Sequence, residues 1–233
     1  MSFESASGDV VDFHSVHAAK SNRNAFPRDR ASRYLKRSVD LLLAIPGVIF
    51  LLPVLAIIAV VVKMNDGGPV LFAHTRRGQD GKAFKCLKFR SMAVDAQERL
   101  AALLASDSRL AAEWAARQKL DNDPRVTSVG NFLRKTSLDE LPQLLNIIRG
   151  DMSVVGPRPI VDDEVIRYGD HIRAYDAYRP GIFGLWQISG RSETTYDERV
   201  DMDVEYARRQ SFWLDLKIMV LGIPAVLLSR GAV

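Results

Sequence analysis

The sequence predicts a mainly helical α+β protein that is monotopic in a membrane and held there by an N-terminal re-entrant helix. Three observations support this fold class: one long uncharged apolar run with basic residues on both sides, an alternating segment around a turn that predicts a small β-hairpin, and helical segments further along. With 233 residues, the chain is long enough to bury one good-sized core beside the membrane segment.

The amino-acid composition limits the classes of molecule that the protein is expected to bind. The formal net charge of +4 is modest, and the basic residues gather near the apolar run, which favours anionic lipid or phosphate over nucleic acid. No nucleic-acid-binding module pattern occurs in the sequence, so we expect no nucleic-acid partner. Cys86 is the only cysteine, which excludes a disulfide framework, and the four histidines lack zinc-site spacing.

The apolar run covers residues 41–62. It follows a polar, aperiodic segment, residues 1–33, that is predicted to be a disordered basic tail. A straight helix of 22 residues rises about 33 Å, which is enough to cross the hydrocarbon core of a bilayer. On length alone, an ordinary transmembrane helix is the leading interpretation.

Two features of the run favour a re-entrant helix over residues 34–63 instead. Pro46 and Pro53 lie inside it, and each removes a helical hydrogen bond and tends to kink the axis. Both flanks are basic, so the positive-inside rule gives no orientation for a spanning helix. A helix broken near Pro53 that enters and leaves through the cytoplasmic face satisfies both flanks, with residues 64–233 as a cytoplasmic domain.

Local signals predict the first elements of that domain. Asp80-Gly81 separates two alternating segments and predicts the turn of the hairpin. Residues 94–120 are rich in Ala, Leu, Glu and Arg, which predicts a helix interrupted near residues 106–108.

Two further helices are predicted towards the C-terminus. Residues 138–149 form the first, because Gly150 follows as a C-terminal cap. The second, about residues 212–229, is apolar but contains two charges and a proline, so we expect it to lie in the membrane interface.

Two adjacent carboxylates, Asp139 and Glu140, are the strongest candidates for chemistry. Ser137-x-x-Glu140 also matches a capping box, which needs no function. Pro142 disturbs this predicted helix start by removing a backbone donor. A kinked, dipole-positive helix start with two carboxylates is a natural place for a divalent cation and a phosphate to meet.

Several cations could face that acidic pair. Arg158 lies between two prolines, which hold it extended and pre-align its guanidinium for bidentate phosphate binding. Lys88 and Arg90 share one face of a predicted strand. Arg179 and Arg191 flank a glycine-punctuated loop whose backbone can approach a ligand closely. Together with the acidic pair, this set matches what a metal-bound pyrophosphate requires.

Asp201-Met202-Asp203 is a weaker candidate. Some glycosyltransferases hold a metal on a sugar nucleotide with this Asp-x-Asp spacing. On a helix the two carboxylates diverge, so we interpret the pair as a solvated helix face.

A series of motifs occurs in one order along the chain: residues 36–40 (KRSVD), 84–92 (FKCLKFRSM), 123–127 (DPRVT), 133–144 (LRKTSLDELPQL), 150–159 (GDMSVVGPRP) and 179–191, which contains the short motifs RPG, WQ and GR. In this order they resemble the bacterial sugar transferase family, the polyprenyl-phosphate hexose-1-phosphate transferases. The details are most similar to the branch that begins succinoglycan-type exopolysaccharide synthesis with galactosyl phosphate. Two positions depart from the family pattern: His74 replaces a common Gln, and Leu52 replaces a common Ser before the helix-breaking proline.

The resemblance implies a monotopic enzyme on the cytoplasmic face of the bacterial inner membrane. It would transfer hexose 1-phosphate from UDP-galactose or UDP-glucose to undecaprenyl phosphate and release UMP, as the first membrane step of exopolysaccharide biosynthesis. It implies a covalent phospho-aspartate on Asp139, Mg²⁺ at Asp139 and Glu140, and a helix break at Pro53. The expected substrate-binding residues are Lys88, Arg90, Arg158, Arg179, Gln187 and Arg191.

Two alternatives stay open. One is a metal-dependent glycosyltransferase that uses Asp201 and Asp203 and releases UDP rather than UMP. The other is a non-catalytic membrane scaffold of a polysaccharide assembly complex, which would need no Mg²⁺. Besides the two substrates, the expected partners are membrane lipids, a second copy of the chain as a homodimer, and downstream polysaccharide glycosyltransferases. No motif distinguishes galactose from glucose.

Overall fold

The structure is a computed structural model, and it describes residues 30–117, 120, 123–189 and 194–227. The predicted tail lies almost wholly outside the described residues. The helices are α1 (Arg30–Asp66), α2 (Ala96–Ser106), α3 (Ser108–Arg117), α4 (Ser128–Lys135), α5 (Gln143–Arg149), α6 (Val165–Tyr168), α7 (Ile172–Asp176), α8 (Leu185–Ile188), α9 (Tyr196–Arg209) and α10 (Phe212–Leu227). The strands are β1 (Leu71–Arg77), β2 (Ala83–Phe89), β3 (Ser153–Val155) and β4 (Gly181–Phe183). The fold is therefore mainly helical α+β, as predicted.

The apolar run forms one uninterrupted helix, α1, which extends beyond the predicted bounds of 34–63 at both ends. Helical conformation continues through Pro46 and Pro53, so the helix does not end at Pro53, and a break of its axis there stays a prediction. Both prolines are exposed, on the side of α1 away from the domain. There the helix can bend to accommodate the missing hydrogen bonds without ending. The re-entrant topology of α1 stays a prediction.

Polar contacts fix the N-terminal part of α1 to the domain. Arg37 donates to the carbonyl oxygens of Ile147 (2.5 Å) and Ile148 (2.8 Å) in the last turn of α5. The carboxylate of Asp40 accepts hydrogen bonds from Ser153 Oγ and from the Val154 N–H, both at 2.9 Å. These contacts join α1 to α5 and β3.

The C-terminal part of α1 packs on the same domain. Ile58 and Val62 are buried in a cluster with Phe89 of β2 and Leu133 of α4. Between the two ends, Ala44 is also buried, in the main core. One face of α1 therefore follows the domain along most of the helix.

The opposite face of α1 is apolar and open. Leu42, Phe50 and Ile57 are exposed by 73%, 82% and 64%. Among the described residues, α1 is the one helix that is long and apolar enough to cross a membrane, judged by length and composition. An exposed apolar surface of this extent marks a contact with a partner other than water, which supports association with a membrane.

β1 and β2 form the predicted hairpin. Its turn holds Asp80 and Gly81 at φ values of 57° and 73°, a left-handed conformation that this dipeptide tolerates. Cross-strand partners share a face of the pair, and their register puts His74, Arg76 and Lys88 on the same side. The hairpin therefore presents several cationic or titratable groups on one face.

β3 and β4 form a second, parallel pair that the sequence did not predict. Each strand has three residues, which is too short for an alternating pattern to be visible. The backbones of these two segments approach each other closely at two glycines, since a Cβ added at Gly181 would lie 2.1 Å from the backbone nitrogen of Gly156. This pair fixes the start of the loop that carries Arg158.

Two helix predictions outside the site are confirmed. The helix expected over residues 94–120 is present as α2 and α3, with the interruption at Asp107. The Asp107 carboxylate accepts a hydrogen bond from the Arg109 N–H (2.8 Å), which competes with continuation of α2. The C-terminal helix is present as α10, and its predicted last two residues lie outside the described part of the chain.

Because both ends of α1 contact one domain, we predict that Arg33 and Lys63 lie on the same side of the membrane. In a Cys86→Ser background, Arg33→Cys and Lys63→Cys should both be shielded from an impermeant thiol reagent added to intact cells. Both cysteines should react after permeabilisation, which is the control for accessibility. Reaction of only one cysteine in intact cells would show that α1 crosses the membrane.

Candidate active site

The acidic pair lies on a tight turn between α4 and α5. Ser137 adopts a left-handed backbone (φ 56°), and Leu138–Glu140 then form a single 3₁₀ turn. The following helix, α5, begins at Gln143 after Pro142, whose fixed φ suits the start of a helix and not its interior. The predicted helix start at residue 138 is therefore wrong, because residues 138–140 form this turn and the α-helix begins only at Gln143.

The predicted capping box is also wrong. Among the described residues, no backbone N–H donates to the side chain of Ser137, whose left-handed backbone differs from the extended conformation of an N-cap. The Glu140 carboxylate accepts instead from Lys88 Nζ at 2.6 Å. Glu140 therefore faces the hairpin and does not close its own turn.

Lys88 reaches the two carboxylates unequally. Its Nζ lies 2.6 Å from Glu140 Oε1 and 3.8 Å from Asp139 Oδ2. The Asp139 side chain is only 9% exposed, whereas that of Glu140 is 38% exposed. Lys88 thus forms a charged hydrogen bond with the outer carboxylate and only approaches the inner one.

These contacts shift the two carboxyl groups in opposite directions. Burial raises the pKa of Asp139, opposed by the positive charge of Lys88 and reinforced by the negative charge of Glu140. Burial also acts to raise the pKa of Glu140, but the charge and hydrogen bond of Lys88, helped by nearby arginines, lower it overall. Neighbouring acids with opposite shifts are suited to different chemical roles.

Two arginines add positive charge beside Glu140. Arg76 of β1 and Arg158 in the loop after β3 both act to lower the pKa of Glu140. Arg76 Nη1 donates to the carbonyl oxygen of Pro159 at 3.2 Å, so the hairpin and the Pro-Arg-Pro loop are joined at this point. Of the predicted substrate-binding residues, the structure therefore brings Lys88 and Arg158 to the acidic pair.

Arg90 has a different role from the predicted one. Its guanidinium forms an ion pair with Asp66 through both terminal nitrogens, and its Nε donates to the carbonyl oxygen of Pro69 at 2.6 Å. The side chain is 8% exposed. Because its donors are used and it is buried, Arg90 anchors the end of α1 in place of the predicted substrate contact.

The remaining predicted substrate-binding residues lie apart from the acidic pair or outside the residues that the structure describes. Burial is the largest influence on the pKa of Arg179 and lowers it. The charged groups that also act on this pKa include Arg37 and Asp40 of α1, and they include neither Asp139 nor Glu140. Gln187 accepts a hydrogen bond from the Gly184 N–H and caps α8. Arg191 lies outside the described residues. Substrate contacts by these residues stay predictions.

Arg76 and Arg134 are charged groups of the site that the sequence analysis missed. Burial lowers the pKa of Arg134 of α4, while the negative charge of Asp139 acts to raise it, so the two groups lie close. A signal for Arg76 was present, because strand alternation and the hairpin register place it on the Lys88 face. No local pattern marks Arg134, whose position depends on how α4 packs.

Asp201 and Asp203 do not form a metal site. Asp203 is buried and its Oδ2 accepts a hydrogen bond from the Tyr168 hydroxyl at 2.7 Å, whereas Asp201 is partly exposed. The interpretation as a solvated helix face is wrong for Asp203, because it lies among Val200 and Val204 on the buried stripe of α9. The carboxylates diverge as expected, which leaves the Asp-x-Asp alternative without structural support.

The acidic pair could take part in a cation site. Among the described residues, no cluster of three or more His, Cys, Asp and Glu side chains could hold a metal. Mg²⁺ commonly takes one or two protein carboxylates and completes its shell with water and substrate phosphate. Asp139 and Glu140 supply two adjacent carboxylates, which fits that pattern by the number and type of ligands, and Lys88 contacts Glu140 Oε1 at 2.6 Å.

Comparison with known proteins gives consistent matches. A family model described as bacterial sugar transferase matches residues 31–229. The exopolysaccharide production protein ExoY of Rhizobium meliloti is 50% identical over 197 residues, which cover 84% of this chain and 87% of that protein. Both the undecaprenyl-phosphate galactose phosphotransferase of Salmonella typhimurium and the UDP-galactose-lipid carrier transferase of Erwinia amylovora are 48% identical over 87% of this chain. The match spans 42% of the length of each of those two relatives.

The opposite shifts of the acidic pair predict opposite effects on stability. Because the folded-state pKa of Asp139 is raised, its ionised form destabilises the fold above that pKa, so Asp139→Asn should raise the melting temperature at about pH 8. A gain of about 1 kcal/mol corresponds to about 2–4 °C in a domain of this size.

Glu140→Gln should have the reverse effect. The folded-state pKa of Glu140 is lowered, so its charge stabilises the fold above its unfolded pKa and that stabilisation is lost as the pH falls through the folded value. The measurement is thermal unfolding of the two purified variants and the parent protein in the same detergent. A decrease in melting temperature for both variants would contradict the assigned environments.

Proposed function

Because this chain belongs to the bacterial sugar transferase family, we propose that it transfers a hexose 1-phosphate from a UDP-hexose to undecaprenyl phosphate and releases UMP. The observation that carries the proposal is a buried carboxylate, Asp139, beside a Lys88–Glu140 ion pair and within electrostatic reach of further cations. Such a site holds a nucleophile and surrounds it with charge that suits a pyrophosphate.

The names of the relatives support particular substrates. Two relatives that are 48% identical carry galactose in their names, and one of them also names undecaprenyl phosphate. We therefore assign UDP-galactose as the preferred donor and undecaprenyl phosphate as the acceptor. The ExoY relative supports a place in exopolysaccharide production.

The first proposed step forms a bond between Asp139 and the donor. A carboxylate oxygen of Asp139 attacks the phosphorus that carries the sugar, and the bond from that phosphorus to the bridging oxygen breaks. The electron pair leaves with UMP, so that Asp139 carries the hexose phosphate as an acyl phosphate. A raised pKa makes the ionised Asp139 a more basic nucleophile, and Lys88 at 3.8 Å helps to keep it ionised.

The second proposed step regenerates the carboxylate. A phosphate oxygen of undecaprenyl phosphate attacks the phosphorus of the acyl phosphate, and the bond to Asp139 breaks. The product is undecaprenyl diphosphate hexose. This division into two displacements lets donor and acceptor use one site in turn.

The surrounding residues position and balance charge. Lys88 fixes Glu140 and offsets the charge of Asp139, and Arg158 would bind a phosphate of the donor through its guanidinium. Asp139 and Glu140 would hold Mg²⁺ together with the substrate. Bound there, Mg²⁺ would supply positive charge against the pyrophosphate.

The apolar face of α1 supports a location at the membrane that contains the acceptor lipid. We propose the cytoplasmic face of the bacterial inner membrane, because a UDP-sugar is a soluble cytoplasmic donor and both ends of α1 pack on the same domain. A homodimer and contacts with downstream glycosyltransferases stay expectations.

The experiment that tests the function is a burst assay with the purified full chain. With UDP-galactose and Mg²⁺ but no lipid, the enzyme should release up to one equivalent of UMP, and addition of undecaprenyl phosphate should start turnover. Asp139→Asn should abolish the burst, because the amide keeps the size of the side chain and removes the attacking charge.

Other outcomes of the assay separate the alternatives. Release of UDP instead of UMP would indicate glycosyl transfer, and no nucleotide release under any condition would indicate a scaffold. Release of UMP only after lipid is added would indicate direct attack by the lipid phosphate. UDP-glucose, tested in parallel, should give slower release if galactose is the natural sugar.

A further inference from the structure

Two arginines share one tryptophan ring beside the proposed active site. The Cζ atom of Arg199 lies 4.9 Å from the centre of the Trp186 ring, and that of Arg158 lies 5.5 Å from it. The three residues come from the loop after β3, from α8 and from α9, so separate segments converge here. Cation–π attraction at these distances holds the two guanidiniums near each other.

The positive charge of these two guanidiniums is only partly balanced by neighbouring negative groups. Burial lowers the pKa of Arg199, and the positive charge of Arg158 lowers it further. Arg199 Nε donates to Thr194 Oγ1 at 3.3 Å. Within the described part of the chain, the terminal nitrogens of Arg199 make no hydrogen bond, so their donors can serve a ligand.

The nearby anions only partly balance this charge. Glu164 acts on Arg199 but also lies 3.8 Å from Arg76, so its charge is shared. Asp203 is buried, and burial raises its pKa to about 7, against the opposing effects of the Tyr168 hydrogen bond and the two arginines. Its Oδ1 has no hydrogen-bond partner among the described residues. The cluster therefore keeps net positive charge, is partly buried, and includes Arg158, which also acts on Glu140 of the acidic pair.

We propose that Arg199, held against Trp186, forms with Arg158 a subsite for the phosphate of the leaving nucleotide. This inference rests on the proposed function. When Asp139 attacks the sugar-bearing phosphorus, negative charge develops on the departing phosphate, and a second guanidinium stabilises that charge. Each guanidinium can donate two parallel hydrogen bonds, so two guanidiniums bind phosphate oxygens well.

The chemistry of the subsite favours phosphate over the uracil base. The Trp186 ring is already engaged by both guanidiniums, so its stacking partner is cationic. Arg199 therefore discriminates a nucleotide from its nucleoside. This selectivity gives the inference a readout that does not depend on turnover.

The test is calorimetric binding of UMP and of uridine to the full chain in detergent. Arg199→Ala should weaken UMP binding by roughly tenfold or more, the scale of a lost hydrogen bond to a charged group, and leave uridine binding unchanged. Arg199→Lys keeps the charge but loses the planar fork, so it should weaken UMP binding less than alanine does. Arg208→Ala, on the exposed side of α9, is the matched control and should bind UMP like the parent protein.

The outcomes separate this inference from the proposed function. Unchanged UMP affinity in both Arg199 variants, with a normal UMP burst in the parent protein, would overturn the subsite alone. An equal loss of UMP and uridine binding would assign Arg199 to packing and also overturn it. If the parent protein neither binds nor releases UMP, the proposed function and the subsite both fail.

Discussion

The ion pair between Lys88 and Glu140 is the interaction on which the site depends. It ties the turn between α4 and α5 to the hairpin and neutralises the more exposed of two adjacent carboxylates. Asp139 is left buried, with a cation 3.8 Å away and its pKa raised by burial. One contact therefore gives two neighbouring acids different environments, and different environments allow different roles.

The membrane-facing helix also supports the site. Leu138 and Leu141, on either side of the acidic pair, pack against the cluster that contains Ile58 and Val62 of α1. The turn that carries Asp139 thus packs against the same apolar cluster as the helix whose other face is apolar and exposed. This shared cluster connects the proposed membrane-associated helix to the segment that carries the proposed nucleophile.

Local features were predicted well, and features set by packing were not. The hairpin, the interruption at Asp107 and the cap at Gly150 (φ 91°) follow from a few adjacent residues, so the sequence was sufficient. The left-handed backbone of Ser137 has no local signal, because a serine before a helix usually indicates an extended N-cap. The prediction of a solvent-exposed Asp203 was wrong because its burial comes from packing against other segments of the chain. The acidic pair was found from sequence, but its unequal environments depend on the reach of a lysine 52 residues away from Glu140.

In the proposed mechanism the buried member of the acidic pair, Asp139, carries the transferred group. The most direct measurement is mass spectrometry of peptides from protein that has been mixed with UDP-galactose and Mg²⁺ and quenched before lipid is added. We expect a hexose phosphate on Asp139, at a level that matches the UMP released. A hexose phosphate on Glu140, or UMP release in step with free hexose phosphate and no modified peptide, would contradict it.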